Sequence, residues 1–172
     1  MTFRSLFAAV SVALILSGGN TGIALAHSEQ IGTLAISDLW TRATPPRAQA
    51  AGGFLTIENS GREPDRLTGA ASPVAGRVEI HQMRMQDGIM IMRPVEGGVE
   101  IPADGEVILA PGGFQIMFMD LNEAFTEGDE VPMTLRFEKA GDLETSLHVL
   151  GLGARGPEME RHMGNPEHGS GQ

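Results

Sequence analysis

The methionines of this chain are concentrated in two short stretches. Residues 81–92, "HQMRMQDGIMIM", hold four of the ten methionines and one of the five histidines, and residues 114–120, "FQIMFMD", hold two more methionines. Thioether sulfur and imidazole nitrogen bind soft metal ions, and Cu(I) above all. Because the chain has no cysteine, thiolate metal sites, disulfides and thiol catalysis are excluded together. Any soft-metal chemistry must therefore use Met and His.

Alternation along a strand would place the first group of methionines on one face together with His81. Asp87-Gly88 is typical of a two-residue type I′ turn, which predicts a hairpin. The hairpin would pair the methionines across its two strands, Met85 with Met90 and Met83 with Met92. Directly opposed Cβ atoms lie about 5 Å apart, so two thioethers could share one ligand.

The second stretch also alternates. One face would carry Phe114, Ile116 and Phe118, and the other Gln115, Met117 and Met119. The aromatic and aliphatic face is the predicted core face, which leaves methionine near a surface. Packing is the simplest interpretation of any single Met, since this side chain fills irregular gaps. Two strands with alternating Met, one of them with a histidine on the same face, favour a copper site.

The elements that must position these residues are short strands separated by turn clusters rich in Gly, Pro, Asn and Asp. The predicted strands are residues 34–37, 51–58, 65–70, 77–86, 88–93, 98–101, 106–109, 114–121, 130–137 and 145–150. No stretch has a sustained apolar period of 3.6. The pattern predicts an all-β fold, an antiparallel sandwich or barrel.

The two ends of the chain have different compositions from the centre. Arg4, an apolar run over residues 6–16 and the sequence Ala24-Leu25-Ala26 predict a secretory signal peptide, residues 1–26, with an apolar run too short to anchor the protein in a membrane. Residues 27–153 would form one domain. Residues 154–172 are rich in Gly, Pro and charge and predict a disordered C-terminal tail. No membrane span is expected after cleavage of the signal peptide.

The charge of the mature chain excludes nucleic acid as a partner. Without Arg4 it has 11 basic and 22 acidic residues, so its formal charge is −11. Its only lysine is Lys139, whereas phosphate binding needs clustered Lys and Arg. Catalytic motifs are also absent: the chain has no G-x-S-x-G sequence and no P-loop. We therefore expect no enzyme.

Two long motifs resemble the periplasmic copper chaperone family PCu(A)C. Residues 38–59, "DLWTRATPPRAQAAGGFLTIEN", are similar to its opening run, and residues 78–121 follow its turns and spacing. The resemblance covers about residues 34–153. It implies a cupredoxin-like β-sandwich that holds one Cu(I) with two His and two Met. It also implies a periplasmic protein that carries copper toward the binuclear copper centre of cytochrome c oxidase, with that copper-centre subunit and Sco-type proteins as partners.

The ligand positions of the family fall on four residues here. The first histidine matches His81, the first methionine matches Met92, and the later His-x-Met matches Gln115 and Met117. One histidine is thus replaced by Gln115, whose amide oxygen is a hard and poor donor for Cu(I). A methionine could supply the missing ligand, and the hairpin pairing makes Met83 the best placed of residues 83, 85, 90 and 119.

Copper ligands could also lie outside the core site. The tail contains Met159, His162, Met163 and His168, and the resemblance extends to family members whose His/Met-bearing tail also handles copper. A tethered tail supplies ligands at millimolar effective concentration, although a solvated tail without a role stays an alternative. If cleavage follows Ala26, the amino-terminal His27 could chelate Cu(II) through its amine and imidazole. The simpler interpretation is that His27 merely follows the cleavage site.

Three functions follow from this sequence. The first is a Cu(I) carrier with few, partly exposed ligands. The second is a degenerate family member that acts as a copper buffer or a partner-docking module without a tight core site. The third is a copper redox enzyme that uses the amino-terminal histidine.

Overall fold

The computed structural model describes residues 28–157, and the regular elements of this part of the chain are β strands. No helix among these residues is long and apolar enough to cross a membrane. The strands are β1 Glu29–Ile31, β2 Leu34–Arg42, β3 Ala50–Asn59, β4 Asp65–Ala71, β5 Ala75–Gln86, β6 Ile89–Pro94, β7 Val99–Ile101, β8 Gly105–Leu109, β9 Phe114–Leu121, β10 Glu130–Phe137 and β11 Gly141–Leu150. The all-β prediction is confirmed, and β1 is the strand that the sequence pattern missed.

The strands pair into one continuous, mostly antiparallel sheet. Their order is β6-β5-β9-β8-β3-β2-β11-β10-β4-β7, with β1 paired to β2 and β3 also paired to β9. Two pairings are parallel, β11 with β2 and β8 with β9. Both ends of this order contribute to one core, since Ile80 of β5 and Leu67 of β4 are buried in the same cluster. The sheet therefore folds over on itself as a sandwich.

Alternation of side chains decides what each strand buries. On β3, Leu55 and Ile57 point into the core, and β10 buries every second residue: Val131, Met133, Leu135 and Phe137. Burial of such side chains is worth about 1.5–3 kcal/mol each. Met133 is buried in this core, so packing alone explains the position of this methionine.

Strand β2 contains a bulge and continues beyond the predicted residues 34–37. Asp38 has a φ of 50°, and the register with β3 shifts between Ser37 and Trp40. After the shift, Trp40 pairs with Phe54 of β3. The bulge breaks the alternation of the sequence, which is why the pattern ended the strand too early.

Trp40 and Phe54 belong to a second, smaller cluster with Leu150 and Ala154. The two rings lie 4.5 Å apart. The guanidinium of Arg42 lies 5.5 Å from each ring centroid, and its Nε donates a 2.6 Å hydrogen bond to the carbonyl of Ala154. Packing thus continues through Ala154, one residue past the predicted end of the domain.

Candidate metal centre

The methionine hairpin forms with the predicted register. Asp87 and Gly88 both have positive φ, 52° and 78°, as a type I′ turn requires. The observed Cα pairs in β5 and β6 include Met85 with Met90, Met83 with Met92 and His81 with Pro94. Local turn chemistry is therefore sufficient to align the thioethers of the two strands.

Strand β9 brings the second group of residues beside the hairpin. His81 pairs with Gln115, and Glu79 pairs with Met117. On its other side, Met117 pairs with Gly52 of β3. The candidate site therefore lies on the outer face of the sheet, where strands from three separate parts of the sequence meet.

A cavity of about 230 Å³ lies at this meeting point. Its lining includes four of the predicted site residues, Met83, Met92, Gln115 and Met117, together with Arg42, Ala50, Ala51, Gly52 and Phe54. Three thioethers and one amide thus share a single small cavity. Thioether donors are suited to a soft monovalent ion such as Cu(I).

Gly52 leaves room in this cavity because it has no side chain. A Cβ at this position would lie 3.1 Å from Cζ of Phe54 and 3.5 Å from Oε1 of Gln115. Both contacts would narrow the space around the amide. The small residue on β3 therefore belongs to the site, although a glycine in a strand carries no ligand signal in the sequence.

Gln115 stands where the sequence resemblance predicts a ligand histidine. Its side chain is buried, and its Nε2 lies 3.5 Å from Sδ of Met92, to which it donates. An amide nitrogen has no free lone pair for a metal, and its oxygen is a hard donor. The amide therefore contacts a sulfur of the cavity through its N–H group and leaves that sulfur one free lone pair.

His81 lies next to the cavity and is held by a carboxylate. Its Nε2 is 2.9 Å from Oε2 of Glu79, and its Nδ1 is buried and has no hydrogen-bond partner within residues 28–157. If Nε2 carries the proton and donates to Glu79, Nδ1 keeps a free lone pair. A carboxylate that orients a histidine in this way is typical of metal sites. Glu79 also contacts Nε of Arg77 at 3.2 Å.

The remaining predicted residues lie elsewhere. Met119 lies beside Arg77, with Nη2 of the arginine 3.5 Å from its sulfur. Met85 and Met90 are exposed at the tip of the hairpin. The tail and terminal candidates, His27, Met159, His162, Met163 and His168, lie outside the described residues.

The donors available for other metals are sparse in this part of the chain. No three His, Cys, Asp or Glu side chains come together among residues 28–157 in a way that could hold a metal ion. Zinc, calcium and magnesium sites are built from such groups.

Sequence reasoning singled out the methionines of the cavity but missed the residues around them. It did not single out Arg42, Gly52 and Phe54 as cavity residues, nor Glu79 as the partner of His81. Glu79 could have been found, because it lies two residues before His81 and therefore on the same strand face.

Comparison with known proteins places this fold in one class. The copper-bound PCuAC domain of PmoF2 has a TM-score of 0.62 at 28% identity and covers 73% of this chain and 98% of that domain. The solution structure of CuI-DR1885 from Deinococcus radiodurans has a TM-score of 0.55 at 25% identity and covers 74% of this chain and 83% of that one. The fold is therefore that of the cupredoxin-like PCuAC domains, as the sequence motifs predicted.

The family of this chain follows from two sequence matches. The profile described as "Putative lipoprotein LpqE-like" matches residues 34–149. "Putative lipoprotein Lxx21020" from Leifsonia xyli subsp. xyli is 32% identical over 151 residues, which cover 84% of this chain and 89% of that protein. The chain belongs to the LpqE-like family.

Proposed function

We propose that this protein binds Cu(I) in the cavity between the hairpin and β9 and carries it as cargo. The observation that supports the proposal most strongly is the shared cavity of Met83, Met92 and Met117. His81 would coordinate through the buried Nδ1 that has no hydrogen-bond partner among the described residues. Met83 would take the place of the missing family histidine, and Gln115 would not coordinate.

A carrier must also release its ion. Met92 is 40% exposed, so an incoming donor of a partner protein can reach at least one ligand without unfolding the site. Neutral thioethers release Cu(I) more readily than thiolates do. These properties suit transfer by ligand exchange better than catalysis, and we propose a non-enzymatic role.

The place of action and the acceptor rest on the resemblance to the PCuAC class and on the lipoprotein relatives. We propose that the protein is exported by its N-terminal signal peptide and acts in the periplasm. Its proposed acceptor is the copper-centre subunit of cytochrome c oxidase, together with Sco-type proteins.

A copper buffer or partner-docking module is the second candidate function. It is favoured by one contact, the hydrogen bond from Gln115 to the sulfur of Met92. This bond occupies one of the two lone pairs of the thioether sulfur and so competes with coordination of a metal. If the free energy lost with this hydrogen bond exceeded the gain from Cu(I) binding, the cavity would hold copper only weakly.

An anaerobic Cu(I) competition titration of the chain 27–172 tests the proposal. The double variant Met92→Leu/Met117→Leu removes two sulfurs with little change in volume. We expect its Cu(I) affinity to fall at least about tenfold, a change of about 1.4 kcal/mol.

The matched control is Met133→Leu, because this methionine is buried in the core away from the cavity. Its Cu(I) affinity should equal that of the wild type. An equal affinity in the double variant would contradict the cavity site, and weak binding by the wild type itself would favour the buffer or docking module.

A further inference from the structure

Two methionines at the tip of the hairpin are unusually exposed. Met85 and Met90 expose 66% and 58% of their surface, and they are directly opposed in the ladder of β5 and β6. Their Cβ atoms should therefore lie about 5 Å apart. They share a strand face with Met83 and Met92, so this face carries two successive thioether pairs.

The outer pair lies on a part of the hairpin that extends beyond the body of the sheet. The pairing of β5 with β9 ends at Gln82 and Phe114, and one further bond joins the Met83 nitrogen to the Gly113 carbonyl, 2.9 Å away. Beyond Met83, β5 pairs with β6 alone, and β6 is the end strand of the sheet. The side chains at the tip are thus accessible to another molecule.

The other face of the hairpin has a different chemistry. Arg84 pairs with Ile91, and Gln82 pairs with Arg93, so both arginines of the hairpin lie on the face without methionine. Among residues 81–94, fixed positive charge is therefore turned away from the sulfur face. A monovalent cation at the outer pair would meet no repulsion from these two side chains on its own face.

We propose that Met85 and Met90 form an outer Cu(I) site, distinct from the cavity and open to a partner that supplies further sulfur or imidazole donors. This proposal rests on the proposed function, because it takes the cavity as the inner site. The two pairs are two residues apart along the strand, about 7 Å. Copper moves between them by ligand exchange: bonds to the inner thioethers break as bonds to the outer thioethers form, and the metal stays Cu(I).

The test is an NMR titration of the chain 27–172 labelled with ¹³C in the methionine methyl groups. Cu(I) is added under anaerobic conditions. We expect the first equivalent to shift the methyl signals of Met83, Met92 and Met117, and a later equivalent to shift those of Met85 and Met90. Outer signals that stay unmoved while the inner signals shift would overturn the outer site alone. Outer signals that shift while the inner ones do not would overturn the proposed cavity site and leave the outer site standing.

A variant pair separates metal binding from apolar contact. Met85→Leu/Met90→Leu keeps an exposed apolar surface but removes both sulfurs, and we expect the chain to lose one equivalent of bound Cu(I) while the inner methyl shifts remain. Ile89→Leu is the control, because Ile89 is equally exposed at the same tip and offers no donor. An unchanged copper stoichiometry in the double variant would overturn the proposal.

Discussion

At the residue scale, the chemistry of the cavity depends on Gln115. This residue stands where the resemblance to the family predicts a histidine, and it pairs directly with His81 across β5 and β9. Its amide uses a hydrogen to hold the sulfur of Met92 but has no soft donor to offer. The proposed site therefore uses Met83 where the resemblance predicts an imidazole, and Gln115 contacts one of its sulfurs.

Replacement of this amide by imidazole should strengthen the site. For Gln115→His we expect Cu(I) to bind at least about tenfold more tightly, since a nitrogen donor is added and the bond to Met92 is lost. Competition titration of the chain 28–157 measures the Cu(I) affinity of the core site in the absence of the tail. Gln115→Asn is the control, because it keeps an amide and adds no donor. An unchanged affinity in the histidine variant would mean that an imidazole at position 115 does not replace Met83 as a ligand.

At the element scale, the carboxylate of Asp65 joins β4 to the turn between β10 and β11. Its oxygens accept hydrogen bonds from the backbone nitrogens of Arg66, Lys139 and Ala140, at 2.7, 2.9 and 3.0 Å. Burial of the carboxyl raises its pKa, but these three bonds and the charge of Lys139 outweigh burial, so the pKa of Asp65 is lowered. The ionised carboxylate therefore stabilises the contact between β4 and the turn that joins β10 to β11.

This lowered pKa gives stability a defined pH dependence. Because its pKa is lowered in the folded chain, Asp65 takes up a proton at a higher pH in the unfolded chain. Stability therefore decreases as the pH is lowered below the ordinary aspartate pKa of about 3.9. At neutral pH the contribution is complete. Asp65→Asn should lower the free energy of unfolding by about 1–3 kcal/mol, as measured by denaturant unfolding at pH 7, and should reduce the loss of stability on acidification below pH 4.

Asp142→Asn is the matched control for Asp65. Asp142 is an exposed aspartate of β11 that lies 3.9 Å from Nε of Arg136, and such surface pairs contribute little. Equal destabilisation by the two variants would contradict a special role for the buried carboxylate.

At the scale of the whole molecule, the described chain ends beside the cavity. Arg42 lines the cavity and also donates a hydrogen bond to the carbonyl of Ala154. The described residues end three positions later, at Pro157. His162 lies five positions further along the sequence, so an extended chain could span at most about 17 Å to it.

Removal of residues 158–172 tests the contribution of the tail. We expect the shortened chain 28–157 to bind fewer Cu(I) ions than the full mature chain while its tight site remains, because tethered ligands act at millimolar effective concentration. Full-length His162→Ala/Met163→Leu should reproduce part of this loss. Equal stoichiometry of the two chains would mean that the tail is solvated and has no role in binding copper, and loss of the tight site would mean that the tail completes it.

Local sequence was sufficient to predict most of the strands and the methionine hairpin. Strand alternation assigned Ile116 and Phe118 to the core and placed Gln115 and Met117 opposite them. The turn Asp87-Gly88 determined the register of the hairpin, since a type I′ turn pairs the residues on its two sides in one way only. Both features depend on neighbours within a few residues, which is why the sequence alone determined them.

Only the tertiary structure decided which residues surround the site. Gly52 meets Met117 through a pairing of strands more than sixty residues apart in the sequence, and Arg42 reaches the cavity after a bulge at Asp38 that shifts the strand register. The bond from Gln115 to Met92 and the buried Nδ1 of His81 require β6, β5 and β9 to lie side by side. No local period carries such information, because long-range pairing is selected by packing of the whole core.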